Sequence, residues 1–138
     1  MTLRVAIGGL GAIGKVVAQR LDRGVEGLTL AAVSARDVAG AEAAMTGFRR
    51  PVSVVPLAQL WEHADVVVEC APAAVLRELV EPALGNGRIV IVLSSGALLD
   101  NFALVDLARR NAGRIRDVRR HYVAAVGQPL CIRRADVN

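Results

Sequence analysis

Two kinds of segment alternate along this chain, and that alternation restricts the available folds more than any other feature. Short, almost continuously apolar runs stand at Leu3–Ile7, Leu28–Val33, Ala64–Cys70 and Arg88–Leu93, bounded by Gly, Asp or Ser. Such runs suit strands covered on both faces. A weaker run at Val52–Val55, beside Pro51 and Pro56, suits a short strand near an edge. Helical spacing fills the intervals. Ile13, Val17 and Leu21 recur at i, i+4 and i+8 with Val16 beside them, which predicts an apolar stripe facing a sheet. Val75, Leu76, Leu79 and Val80 repeat the pattern after Pro72, which suits a first helical position, and Pro82 is expected to end or bend that helix. Another helix follows Asp100 as its cap, runs through Leu104, Val105 and Ala108, gathers Arg109 and Arg110 near its negative end and stops by Gly113. A less marked one spans about Val38 to Thr46.

Strands alternating with helices imply parallel pairing through right-handed crossovers. The expected fold is therefore α/β: a Rossmann-type, doubly wound, mainly parallel sheet with helices on both faces. Five such units place one domain at residues 1–113, with 114–138 as a basic tail holding one candidate strand at Tyr122–Val126. Residues 64–76, among the longest apolar stretches, are broken by Glu69 and Pro72, well short of the ~20 apolar residues needed to cross a bilayer. The amino terminus enters a strand without a signal-peptide pattern. Cys70 and Cys131 form no C-x-x-C and no cluster with His63 or His121, so neither a metal site nor a disulfide framework is expected. Together these features predict a cytoplasmic protein with reduced thiols and no membrane partner. Charge is uneven: from Arg109 onward eight arginines stand against two aspartates, and the chain total of +4 leaves residues 1–108 at a net −2. With aromatics at 3% and no recognition module, the basic end predicts no nucleic-acid partner.

Gly9, Gly11 and Gly14 form G-x-G-x-x-G between a predicted strand and a predicted helix. The first glycine allows the tight turn, the second lets a pyrophosphate lie against the backbone, and the third lets the helix pack closely on the sheet. Free N–H groups at the helix start, aided by its dipole, then bind the anion. Gly8 is assigned to packing. Lys15 either reaches a phosphate or is a solvated surface residue. An NAD-selective site presents Asp or Glu about 20 residues beyond the glycines, on the ribose hydroxyls. Here that place falls on Ser34, with Arg36 and Asp37 following. Ser34 does not repel a 2′-phosphate and Arg36 can pair with one. NADP, or use of both NADP and NAD, is expected, the alternative being that Arg36 and Asp37 form a solvated loop.

Ligands in such sheets lie beyond the carboxyl ends of the strands. The segments "ECAP" at 69–72 and "LSSGAL" at 93–98 are accordingly expected to rim the nicotinamide side. Glu69, closing a buried strand, requires a partner because a bare buried carboxylate is costly. Cys70 reads as a small buried residue rather than a nucleophile. Ser94, Ser95 and Gly96 offer hydroxyls and amides, Trp61 is assigned to the core and His63 to solvent.

"GGLGAIG", "VVECAP" and "VLSSGAL" taken together resemble the aspartate dehydrogenase family over residues 1 to about 115. The resemblance implies an amino-terminal Rossmann domain, NAD or NADP as cofactor, and conversion of L-aspartate to iminoaspartate. It also implies a second domain carrying substrate binding, a catalytic histidine and most of a dimer contact. Matched to the family, Gly9, Leu10, Gly11, Ala12, Ile13 and Gly14 are the phosphate loop, and Cys70, Ala71, Ser95, Gly96 and Ala97 line the cofactor. Neither His63 nor His121 lies in a matching motif, so no residue receives the catalytic role. The chain alone is expected to bind the dinucleotide without turnover, to take a small amino-acid substrate only with a second domain, and to self-associate as a homodimer. The competing reading is a stand-alone nucleotide-sensing module; a coenzyme A or nucleotide-binding domain of another enzyme is a third.

Overall fold

The structure is a computed structural model that describes residues 1–94, 96–97, 100–110 and 114–117. Its strands are β1 (Leu3–Gly8), β2 (Leu28–Ser34), β3 (Ser53–Val54), β4 (Val66–Glu69), β5 (Ile89–Val92) and β6 (Arg114–Asp117). Its helices are α1 (Ala12–Arg23), α2 (Val38–Ala44), α3 (Leu60–His63), α4 (Leu76–Gly85) and α5 (Phe102–Arg110). The strands form a single sheet in the order β3-β2-β1-β4-β5-β6. Every neighbouring pair is parallel. This is the Rossmann order, with its topological switch point between β1 and β4.

Successive residues of a strand point to opposite faces, and the core divides accordingly. Ala6, Ala32, Val67, Val90 and Val92 meet Leu60, Leu76, Leu79, Val80, Leu84 and Leu104, the buried side chains of α3, α4 and α5. Val5, Ile7, Leu30, Val33, Val66 and Val68 meet Ala18, Leu21 and Ala41 of α1 and α2 on the other face; Leu30 and Ala32 part company where the β1–β2 register shifts, between Val5 and Ala6. Trp61 packs against the first cluster, as expected. The short β3 occupies the sheet edge that its flanking prolines predict. No helix among the described residues is long and apolar enough to cross a membrane.

Four expectations change. The stripe on α1 holds in part: Leu21 is buried and Val17 packs on the core as expected, but Gly14 and Ala18 complete the buried face, whereas Ile13 and Val16 are 59% and 64% exposed. At its start the helix lies so close to β1 that small residues carry the buried face and Ile13 and Val16 turn outward, while Val17 and Leu21 further along pack on the core. Of the two outcomes expected at Pro82, an end to the helix does not occur: α4 runs on to Gly85. Its missing N–H forfeits one bond, while Ala83 and Leu84 stay fully buried, and Asn86 closes the helix by donating to the Pro82 carbonyl from its amide side chain at 2.7 Å. Asn101, not Asp100, immediately precedes α5, and its carbonyl accepts from Leu104 N–H at 2.9 Å. Finally, the sheet continues past Gly113. Arg114–Asp117, assigned to the tail, pair with Ile89–Val92; an edge strand tolerates charged residues and so lacks the apolar run that marks inner strands. The expected strand at Tyr122–Val126 lies outside the described residues.

Candidate functional site

The carboxyl ends of β2, β1, β4 and β5 are laced together by a row of hydrogen bonds. Gly9 N–H donates to the Ser34 carbonyl at 2.9 Å and Cys70 N–H to the Gly8 carbonyl at 2.8 Å. At the end of β4 the Glu69 carboxylate accepts from Ser94 N–H at 2.9 Å, from Leu93 N–H at 3.2 Å and from the Ser94 hydroxyl at 3.1 Å. These contacts bring the glycine turn, the end of β2, "ECAP" and the start of "LSSGAL" to one edge of the sheet.

The three glycines are not interchangeable. Gly9 has φ +97°, and a Cβ there would lie 2.7 Å from the Cys70 carbonyl oxygen and 2.9 Å from the Ala71 backbone. The turn therefore needs both left-handed backbone and close approach. A Cβ on Gly14 would collide with the Gly9 carbonyl oxygen and meet its carbon at 3.0 Å, so this glycine sets how closely α1 packs on β1. Around Gly11 a Cβ would meet nothing within 4 Å. Its backbone is extended, with φ −80° and ψ −156°, which any residue adopts. Side-chain absence here leaves open space beside the start of α1. The first bond of α1 runs from Lys15 N–H to the Gly11 carbonyl at 2.9 Å, so the amides of Ala12, Ile13 and Gly14 precede any intrahelical partner and face outward from the helix start. Open space over unpaired amides at a positive helix end is the cradle a pyrophosphate fits. Leu10 contributes only backbone to this edge, because its side chain is buried in the core beside α1. Ile13, at the opposite extreme, is exposed on the first turn. Gly8 is a packing glycine, as expected: a Cβ there would run into Leu79.

Ser34 closes β2 and is buried. Arg36 is exposed two residues on. Asp37 is not merely solvated: its carboxylate caps α2 by accepting from Gly40 N–H at 2.9 Å, which leaves Arg36 as the cation nearest the end of β2 in sequence. Half-buried Cys70 has its thiol pushed up to about 11, first by burial and then by the charge of Glu69. A thiol so held is protonated and inert at neutral pH. Ala71 is half-buried, and Gly96 and Ala97 lie in a helical turn after β5, where the Ala97 carbonyl accepts from Asn101 at 2.8 Å. Ser95 lies outside the described residues, as do His121 and Cys131. His63 is the last residue of α3 and precedes β4, which sets it at the amino edge, opposite this site. No group of three or more His, Cys, Asp or Glu residues that could hold a metal occurs among the described residues.

A doubly wound sheet with an open, amide-lined glycine turn at its switch point defines a dinucleotide-binding domain. Residues 9–116 match the family described as homoserine dehydrogenase, NAD binding domain, and the chain belongs to that family. Among curated relatives it is similar to an L-aspartate dehydrogenase of Bradyrhizobium diazoefficiens, at 59% identity over 82% of this chain and 40% of the relative. It is also similar to L-aspartate dehydrogenase 3 of Bordetella bronchiseptica, at 53% identity over 82% of this chain and 42% of the relative. The chain thus spans about two fifths of the length of these relatives. The resemblance seen in the three motifs is borne out. Among solved structures, a probable dehydrogenase from Thermotoga maritima superposes with a TM-score of 0.75 at 20% identity, over 86% of this chain and 37% of that one. That likeness shows the fold.

Proposed function

We propose that this chain is the cofactor-holding part of an NAD(P)-dependent L-aspartate dehydrogenase. The observation that carries the reading is the glycine turn: Gly9 and Gly14 are locked by contact with backbone while Gly11 opens onto free space. In this reading the backbone of Gly9, Leu10 and Gly11 and the opening amides of Ala12, Ile13 and Gly14 hold the pyrophosphate. Ser34 and Arg36 receive the adenosine ribose. Ser34 brings no carboxylate to that place and the Arg36 fork suits a 2′-phosphate, so NADPH is expected to bind at least as well as NADH. Cys70, Ala71, Ser95, Gly96 and Ala97 line the nicotinamide half, with the Cys70 thiol serving as an uncharged, unreactive wall. The nicotinamide supplies a hydride acceptor for the carbon of L-aspartate that bears the amine. The part of the protein that binds the amino acid and exchanges its proton is assigned to no residue of this chain. A cytoplasmic homodimer, with residues 1–113 and their β6 extension as the folded domain and the remaining basic segment as a tail, completes the reading. Titration of the purified chain with NADPH and NADH, paired with an L-aspartate oxidation assay, tests it: tight cofactor binding supports the reading, and absence of binding refutes it.

A further inference from the structure

Glu69 is fully buried. Among the described residues its partners are the Leu93 and Ser94 amides and the Ser94 hydroxyl, and neither ion pair there includes it. Two N–H groups converge on Oε2 and the Ser94 hydroxyl lies against Oε1, so both backbone contacts ask the carboxyl group to accept. A buried charge without a counter-charge is expensive, since hydrogen bonds alone repay only part of its lost hydration. A glutamine could make comparable bonds without that cost, so tying β4 to β5 does not account for a charged side chain.

Its position supplies a reason. Glu69 is the last residue of β4, paired with Gly8 of β1 on one side and Val92 of β5 on the other. A dinucleotide with its phosphates on the turn after β1 and its adenosine ribose at the end of β2 has its other half over the ends of β4 and β5. The nicotinamide ring carries a positive charge when oxidised and none when reduced. We propose that the buried Glu69 carboxylate is the counter-charge of the oxidised ring, so that this domain holds oxidised dinucleotide more tightly, relative to reduced, than a neutral side chain would allow. At an effective dielectric of about 20, a unit counter-charge within on the order of 10 Å, wherever the ring lies over these strand ends, changes such a ratio by roughly tenfold or more. The inference rests on the dinucleotide reading above.

Glu69→Gln keeps size and an oxygen for both amides and removes the charge. Calorimetric titration of the native chain and this variant with NAD⁺ and NADH gives the ratio of their Kd values. The proposal expects Kd(NAD⁺)/Kd(NADH) to rise about tenfold in Glu69→Gln, through weaker NAD⁺ binding; an unchanged ratio overturns it. Ser94→Ala removes the hydroxyl contact but keeps the charge, and is expected to leave the native ratio in place. A shift equal to that of Glu69→Gln would assign the effect to loop position and overturn the charge role. Should circular dichroism show Glu69→Gln unfolded, the native chain is titrated with benzamide adenine dinucleotide, a neutral isostere of NAD⁺. NAD⁺ is then expected to bind about tenfold tighter than the isostere, and equal affinity overturns the proposal. Failure of the native chain to bind any dinucleotide would instead refute the dinucleotide reading.

Discussion

Replacing Gly11 by valine separates folding from binding at the glycine turn. The new Cβ meets nothing within 4 Å and the backbone is already extended, so the fold accommodates it without strain. Gly11 is the N-cap of α1 without a side-chain cap bond, and an aliphatic residue there is disfavoured; the expected loss of stability is under about 1 kcal/mol. Binding suffers far more. The isopropyl group fills the space beside the Ala12–Gly14 amides, and each hydrogen bond from an amide to a charged phosphate contributes about 1.5–3 kcal/mol. Displacing the pyrophosphate from two of them costs about 3–6 kcal/mol, a loss of at least about a hundredfold in affinity. Gly14→Ala inverts the pattern: its methyl collides with the Gly9 carbonyl, backbone that cannot swing aside, and overpacking of this kind costs about 1–3 kcal/mol or more. The assays are NADPH titration by nicotinamide fluorescence and urea unfolding by circular dichroism. Equal NADPH affinity for native and Gly11→Val chains would remove the glycine turn from the site, and a Gly14→Ala chain as stable as native would refute the packing argument.

Arg36→Ala is expected to weaken NADPH binding selectively, by roughly tenfold for one charge-assisted contact, leaving NADH nearly unaffected; a clear NADH preference in the native chain would contradict the reading of Ser34 and Arg36. In a Cys131→Ser background, alkylation of Cys70 by iodoacetamide should stay slow at neutral pH and accelerate toward pH 11, following the raised thiol; rapid reaction at neutral pH would show a thiolate in the site. Asp65 is held below its ordinary 3.8 by hydrogen bonds from Arg4. A lowered carboxyl stabilises the fold above its unfolded value and loses that contribution as pH falls through the folded one. The stability gap between native and Asp65→Asn chains should therefore be largest near neutrality and close below pH 3.8, as read by urea midpoints across pH; a gap independent of pH would refute the pairing. Light scattering at low and high salt is expected to show a dimer, and a monomer at both would defeat that part of the proposed function.

Much of this architecture is legible in the residues because the inner strands are covered on both faces. Val66–Glu69 and Ile89–Val92 must be apolar almost throughout, and such runs stand out in the sequence. The edge strand Arg114–Asp117 is hidden for the same reason reversed. On α1 the apolar spacing of Ile13, Val17 and Leu21 marks the core face correctly at Val17 and Leu21, whereas close packing on β1 demands Gly14 and Ala18, and only the glycine motif carries that information. Pro82 stands inside α4 rather than at its end, the bond it forfeits being offset by burial of Ala83 and Leu84. In the site, the need of Glu69 for partners was readable from its place at the end of a buried run, but their identity was not: Leu93 and Ser94 are 24 and 25 residues away. Capping of α2 by Asp37 follows the ordinary rule for an aspartate just before a helix, but the helix it opens has so weak an apolar pattern that its start is poorly marked in the sequence.

The account rests on a dinucleotide lying along the carboxyl edge of the sheet, and nuclear magnetic resonance tests that most directly. In ¹⁵N-labelled chain titrated with NADPH up to millimolar concentration, the amides of Gly9 to Gly14 should move most, followed by Ser34, Arg36, Cys70, Ala71, Gly96 and Ala97. Amides at the opposite edge, including Arg4, His63 and Asp65, should stay in place. Unmoved glycine-turn amides at saturating NADPH and NADH, or shifts centred on His63 and Asp65, would contradict it.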